Sequence, residues 1–310
     1  MKGGNMVDTD DFAINTDSTV KTIAHEMGRR ELGPKVYGLF NGGSIEEYID
    51  SHILTYEESA DPAISMDIAC ALATIHSIQG LPVKMTAMEE NVAKQRQWMK
   101  AIPEKRSIWR ENEAMKNYGN IDIDFTMNFD YGRNTDWLLA IFDQVSMRKN
   151  FILNDMNFLN FLIRNTVKDG RSRVVLIDHD VAYFGYRGVN LGGHFFVRRF
   201  RGDSKDKIIL ESVFFTMEKK RNFLHNYQQK IQGLNVWNDF DELFIDSIDN
   251  LYLGCLVRRC VNILFSGSYM MTKPEMILNF DHTIVPCIEL FLSHFLGLKD
   301  EIESILKQKR

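Results

Sequence analysis

Two neighbouring stretches constrain this chain more than anything else in it: FILNDMNFLNFL, residues 151–162, and the strand-like RVVLI of residues 173–177. Both are apolar and rich in strand-favouring residues. Polar groups nevertheless interrupt or end them: Asp155 and Asn160 inside the first, Asp178 directly after the second. A carboxylate at the end of a buried strand faces a desolvation cost of about several kcal/mol unless it is paired, opens into a cleft or holds a metal. Phosphoryl transfer to an alcohol uses such a set, with one carboxylate orienting the attacking hydroxyl while an Asn and a second carboxylate hold Mg²⁺ on the nucleotide phosphates. Asp155, Asn160 and Asp178 supply these groups in that chain order. Loop capping or a buried hydrogen-bond network is the competing reading of the same residues.

Around the two strands the pattern is helical. Apolar spacing predicts helices over 17–30, through ISMDIACALATIHSI, near Met88–Met99 and Thr135–Met147, and over Ile208–Gln229, Phe240–Phe265 and Thr283–Phe295. Ahead of them, LGPKVYGLFNGGSIEEYI predicts a strand at VYGLF, a turn at Asn41-Gly42-Gly43 and a second strand at SIEEYI. The bottom-up picture is α+β, a mainly helical body holding a small β element.

Composition removes several classes of function. The 37 basic and 42 acidic residues leave a formal charge of -5, which argues against a phosphate-backbone binder and hence against a nucleic-acid partner. Cys70, Cys255, Cys260 and Cys287 form no CxxC pair, so they read as buried free thiols in a reducing cytoplasm. No window reaches the length of a membrane span and the first residues hold no apolar signal core, so neither a membrane span nor export is expected. His76 reads as a hydrogen-bonded core histidine, Glu218–Arg221 as a solvated helix face, and Asp122 and Asp124 lack the glycine and terminal Glu of a calcium loop.

Three ordered motifs carry a family resemblance. NDMNFLN is similar to the catalytic loop H-x-D-x-x-x-x-N of protein-kinase-like phosphotransferases that act on small molecules, and LIDHD resembles their strand-end D-x-D/E metal motif. DHDVAYFGYRGVNLGGHF is similar to the choline and ethanolamine kinase segment D-F-E-Y followed by Y-R-G-x-D-x-G-N-H-F. LGPKVYGLFNGGSIEEYI is similar to that family's L-G-P-x-x-Y and the turn leading to its hinge. The resemblance covers roughly Asp17 to Phe200.

It implies a protein-kinase-like two-lobe fold, with residues 1–50 a reduced N-terminal lobe and hinge and residues 51–310 a large, mainly helical C-terminal lobe. It implies ATP as phosphoryl donor, Mg²⁺ as cofactor, and choline or ethanolamine as the amino-alcohol acceptor in phospholipid synthesis; a homo- or heterodimer is compatible with it. Asp155 would then orient the hydroxyl, Asn160, Asp178 and Asp180 would stand at the metal, and Glu47, Tyr48 and Ile49 would lie beside the adenine. Tyr186, Arg187, Gly188 and His194 match the structural run after the metal motif.

The chain also departs from the pattern. Leu153 stands where the loop motif has His; Asn190, Gly193, Val197 and Arg198 replace Asp, Asn, Glu and Trp; Asn262 and Phe265 loosely match a tryptophan pair. No GxGxxG and no strand lysine precede LGPK, and Lys21 falls in a predicted helix. Arg198 and Arg199 beside a cation site would repel choline. Two other readings therefore stay open: a pseudokinase that binds or pairs with a partner, and a kinase for another small alcohol.

Overall fold

The computed structural model describes residues 15–83, 88–111, 122–145, 149–153, 155–167, 171–195, 199–200, 208–209, 216–234, 247–273 and 284–308. Thr16 starts helix α1 (Asp17–Arg29): its extended backbone lets the side-chain oxygen accept from the Thr19 N–H, one of the orphan amides of a first turn. Ile23 and Met27, one turn apart on the same face, are completely buried. The chain then reverses through Glu31 at φ 61, and the Leu32 and Gly33 N–H groups return to the Met27 carbonyl. Gly28 is what permits so tight a return, since a Cβ there would lie 2.4 Å from the Pro34 carbonyl oxygen. The Leu32 carbonyl in turn accepts from the Leu176 N–H at 2.7 Å, so this turn docks on the strand that leads to Asp178.

Strands β1 (Val36–Phe40) and β2 (Gly43–Glu46) form an antiparallel hairpin turning through Gly42 at φ 87. The predicted second strand stops at Glu46 rather than continuing to Ile49: the Glu47 N–H still donates to the Lys35 carbonyl opposite it at 2.8 Å, but the Lys35 N–H turns to the Glu47 carboxylate at 3.2 Å. Strand β3 (Ser51–Ile53) belongs to a different sheet. A Thr55–Glu58 capping box opens the short α2 (Tyr56–Ser59), and Asp61 followed by Pro62 opens α3 (Pro62–His76), which buries Ile64, Ile68, Leu72 and Ile75. Helices α4 (Met88–Glu111), α5 (Ile123–Asn128) and α6 (Tyr131–Gln144) follow, the last two capped by Asp122 and Asp130. Asp122 thus serves a helix start, and Asp124 pairs with Arg110 at 2.5 Å.

The centre of the fold is four strands where the sequence predicts two. Strand β4 (Lys149–Leu153) leads through a loop and a 3₁₀ turn (Phe158–Asn160) into β5 (Phe161–Arg164). Strand β6 (Val174–Leu176) leads through a second loop into β7 (Ala182–Tyr186), which runs directly into α7 (Arg187–Phe195). β5 lies between β3 and β6, whereas β4 pairs with β7, Leu153 opposite Ala182. The loops β4–β5 and β6–β7 therefore cross between the same two sheets, side by side.

Strands β8 (Arg199–Phe200) and β9 (Ile208–Ile209) pair with each other, which corrects the predicted helix start at Ile208: the β-branched Ile208-Ile209 extends, and α8 (Met217–Gly233) begins only where Thr216 caps it. Within α8, Lys220 is buried rather than solvated as predicted. Helix α9 (Ile248–Thr272) starts at Ser247, so the predicted start at Phe240 falls outside the described residues. It buries 18 of its 25 residues, as a helix apolar nearly all round must, and α7 and α10 (Ile284–Gln308) pack against it. Gly192 of α7 lets the two backbones meet, since a Cβ there would lie 2.7 Å from the Cys255 carbonyl oxygen. Among the described residues no helix is long and apolar enough to cross a membrane. The expected α+β class, a small β part beneath a large helical body, is what the structure has.

Candidate active site

The loop after β4 alternates. Met156, Phe158 and Phe161 are buried, while Asp155, Asn157 and Leu159 between them are exposed. The buried side chains pin the loop to the core and thereby turn Asp155 outward. Gly193 of α7 makes room for this, because a Cβ there would meet Met156 Cγ at 2.6 Å. The loop is braced from within: the Asn157 N–H donates to Asp155 Oδ1 at 3.2 Å, Asn157 Oδ1 accepts from the Leu159 N–H at 3.1 Å, and Asn160 Nδ2 donates to the Asp155 carbonyl at 3.4 Å.

The second loop joins the first through one backbone bond, from the Ile177 N–H to the Asn160 carbonyl at 3.0 Å. The next residue, Asp178, is exposed and holds left-handed backbone at φ 62, a conformation an L-residue keeps only where its surroundings impose it. That turn sends Asp178 outward and His179 inward. Burial pushes His179 down to about 4, against the opposing charges of Asp178 and Glu46. Asp180 is raised above the usual carboxylate value, first by burial and then by the charges of Asp178 and Asp17. The carbonyls of Asp180 and Ala182 are held by Asn15 Nδ2, at 3.0 and 2.6 Å.

Asp155, Asn160 and Asp178 are thus brought together, and Asp180 stands beside Asp178. Glu47, Tyr48 and Ile49 lie on the link between β2 and β3. Tyr48 is 90% exposed and Ile49 is buried. The Glu47 carboxylate accepts from the Lys35 N–H at 3.2 Å and from Arg171 at 3.1 Å. Burial works against its ionisation, but the Lys35 N–H and Arg171 outweigh it and hold the carboxyl below its ordinary value. Its side chain is a brace between the hairpin and the β5–β6 sheet.

Two features add to the residues that the sequence singles out for the site. Arg258 of α9 is 8% exposed; burial lowers its pKa, and Asp155 is among the groups opposing that shift. The signal for it was a pair of arginines inside an otherwise apolar helix, LVRRCVN. The second is a buried polar chain behind β4, in which His76 is the hydrogen-bonded core histidine that the sequence predicts. His76 Nδ1 meets the Tyr227 hydroxyl at 2.7 Å and its Nε2 meets Asn190 Oδ1 at 3.1 Å. Asn190 Nδ2 donates to the Leu153 carbonyl. Val197 and Arg198 lie outside the described residues, as does the Arg199 side chain. Phe265, the loose match to a family tryptophan, packs edge-on against Trp98 at 5.8 Å.

The donor set suits a hard cation. Asn160 spends its Nδ2 on the Asp155 carbonyl, which leaves Oδ1 as an oxygen donor, and its backbone carbonyl is bonded to the residue before Asp178. Among the described residues no three of His, Cys, Asp and Glu come together as a cage. One carboxylate and one amide oxygen would hold Mg²⁺ only with phosphates and waters completing its shell, which is its usual habit.

Comparisons with known proteins bear on family and fold. A probable ethanolamine kinase A from Dictyostelium discoideum is 26% identical over 227 residues, 73% of this chain and 59% of that protein. A choline/ethanolamine kinase from Rattus norvegicus is 24% identical over 169 residues, 54% of this chain and 40% of that protein. The chain spans about half the length of the curated relatives it matches. Among solved structures, a choline kinase from Cryptosporidium parvum superposes with a TM-score of 0.58 at 15% identity, covering 95% of this chain and 81% of that one. A choline kinase from Streptococcus pneumoniae gives 0.57 at 14% identity, covering 95% and 84%. Both show the protein-kinase-like fold. The model of the choline/ethanolamine kinase family matches residues 8–283, and the chain belongs to that family.

Proposed function

We infer that this chain transfers the γ-phosphoryl group of ATP to the hydroxyl of a small amino alcohol, choline or ethanolamine, the step that delivers a phosphorylated base to phospholipid synthesis. The observation that carries the reading is the single bond from the Ile177 N–H to the Asn160 carbonyl, which sets Asp178 beside the loop of Asp155 and Asn160. In this reading Asp155 accepts a hydrogen bond from the attacking hydroxyl and takes its proton as the phosphoryl group passes to that oxygen, ADP leaving. Asn160, Asp178 and Asp180 would hold Mg²⁺, which would supply charge neutralisation on the phosphates. Ile49 and the backbone of Glu47 and Tyr48 form the adenine edge. The lobe boundary falls near residue 50, a placement supported by β3 pairing with β5 rather than with the hairpin. Free thiols at Cys70, Cys255 and Cys260 suit a reducing cytoplasm.

A second reading, transfer to a different small alcohol, is favoured by Arg258. A buried guanidinium whose charge reaches Asp155 opposes a permanent cation at the same place. Calorimetry of Mg²⁺ and ATP binding, with Asp178→Ala beside the native chain, tests the common part of both readings. Magnesium-dependent ATP binding that the substitution abolishes is expected, and turnover of choline, ethanolamine and neutral alcohols then selects between them. Folded protein that binds no nucleotide removes both and leaves a partner-binding module.

A further inference from the structure

We propose that His76 and Asn190 are positioning residues that fix the backbone from which Asp155 projects, taking over a task that Leu153 cannot perform from inside the loop motif. The inference rests on Asp155 acting as the hydroxyl-orienting group. Leu153 lies two residues before Asp155, at the last position of β4. On one side it pairs with Ala182 of β7. On the other no strand among the described residues pairs with it, and the amide of Asn190 stands in for one: Nδ2 donates to the Leu153 carbonyl and Oδ1 accepts from the Leu153 N–H at 3.4 Å.

The arrangement permits one assignment of hydrogens. A carbonyl only accepts, so the Asn190 atom facing Leu153 O is the NH₂ and the atom facing His76 is the oxygen. His76 Nε2 therefore carries the proton and donates to Asn190 Oδ1 at 3.1 Å, which leaves Nδ1 to accept from the Tyr227 hydroxyl at 2.7 Å. A second stitch runs from Asn150 Nδ2, also on β4, to the His76 carbonyl at 2.9 Å. His76, Asn150, Asn190 and Tyr227 are all buried, so no water competes for these bonds. Burial keeps His76 neutral, with its pKa pushed down to about 3, as the assignment requires. The register of β4, and with it the place where Asp155 emerges, is thus held from α3 and α7 as well as from β7.

The chemistry is specific to an amide. A carboxylate at position 190 would turn an acceptor toward the Leu153 carbonyl. The test compares His76→Phe, which keeps the ring and loses the N–H, with His76→Gln, which restores a donor, and with Asn190→Asp. Turnover is measured together with hydrogen exchange of the amides of residues 155–157. His76→Phe and Asn190→Asp are expected to lower kcat about 10- to 100-fold at unchanged KM for MgATP and to speed exchange at 155–157, while His76→Gln recovers most of both. Native kcat and native exchange in folded His76→Phe would overturn the proposal. So would equal losses in His76→Phe and His76→Gln, which would make the site one of packing alone. If the native chain turns over no alcohol, the phosphotransfer reading fails by itself, and the exchange experiment still decides this one.

Discussion

Asp178 shows what a left-handed residue does to the direction of its side chain. Its φ of 62 is strained for any L-residue, yet that turn is what faces the carboxylate outward beside Asn160. Asp178→Gly is therefore expected to be about 1 kcal/mol more stable than Asp178→Ala by urea denaturation, while both lose magnesium-dependent ATP binding. Equal stabilities would show that the left-handed turn carries no strain. The placement of Asp155, Asn160 and Asp178 on two joined loops was legible in the sequence, because polar groups in an apolar context signal a cost that something has to offset. The role of the Glu47 side chain was not legible: its partner Arg171 is 124 positions away, and no local pattern predicts so distant a pair.

Between elements, the contacts that set the site are close approaches of backbone. α7 meets α9 at Gly192 and the β4–β5 loop at Gly193. Gly192→Ala would drive a methyl group against the Cys255 backbone and is expected to cost about 1–3 kcal/mol, read as a lowered urea midpoint. It would also tilt the helix that carries Asn190, so turnover should fall further than the lost fraction of folded protein explains. Activity that tracks the folded fraction would separate that packing from the site. The strands β5 and β7 escaped the sequence reading for reasons at this same scale. FLIR and AYFGY are four and five residues long, too short for alternation to show, and they become strands because β6 and β4 are there to pair with. The start of the helix predicted from Ile208 failed in the opposite way, its apolar pattern being overridden by pairing with residues 199–200, whereas Met217–Gln229 is helical as expected.

Over the whole molecule, buried histidines set the response to acid. Burial lowers His76 and His194 from 6.5 to about 3 each. Both are neutral in the folded chain and take up a proton only on unfolding once the pH is below 6.5. A depressed folded pKa contributes stability that is complete above the unfolded value and is lost as pH falls toward the folded one. The slope is about 1.4 kcal/mol per pH unit for each histidine. Urea titrations at pH 7, 6 and 5 should therefore show stability nearly flat down to the upper sixes and then falling steeply. A flat line from pH 7 to 5 would mean that these rings are hydrated or already protonated.

The crossed pairing of strands has a consequence for how the chain could be divided. Asp155 and Asn160 come before the connection from β5 to β6, and Asp178 comes after it. A break between Val167 and Arg171 would place Asp155 and Asn160 on one fragment and Asp178 on the other. Because β4 pairs with β7 and β5 with β6, each fragment would hold half of both ladders, and recombining them would rebuild both ladders at once. Such a pair of halves would work as a complementation reporter, silent apart and with nucleotide binding restored by reassociation.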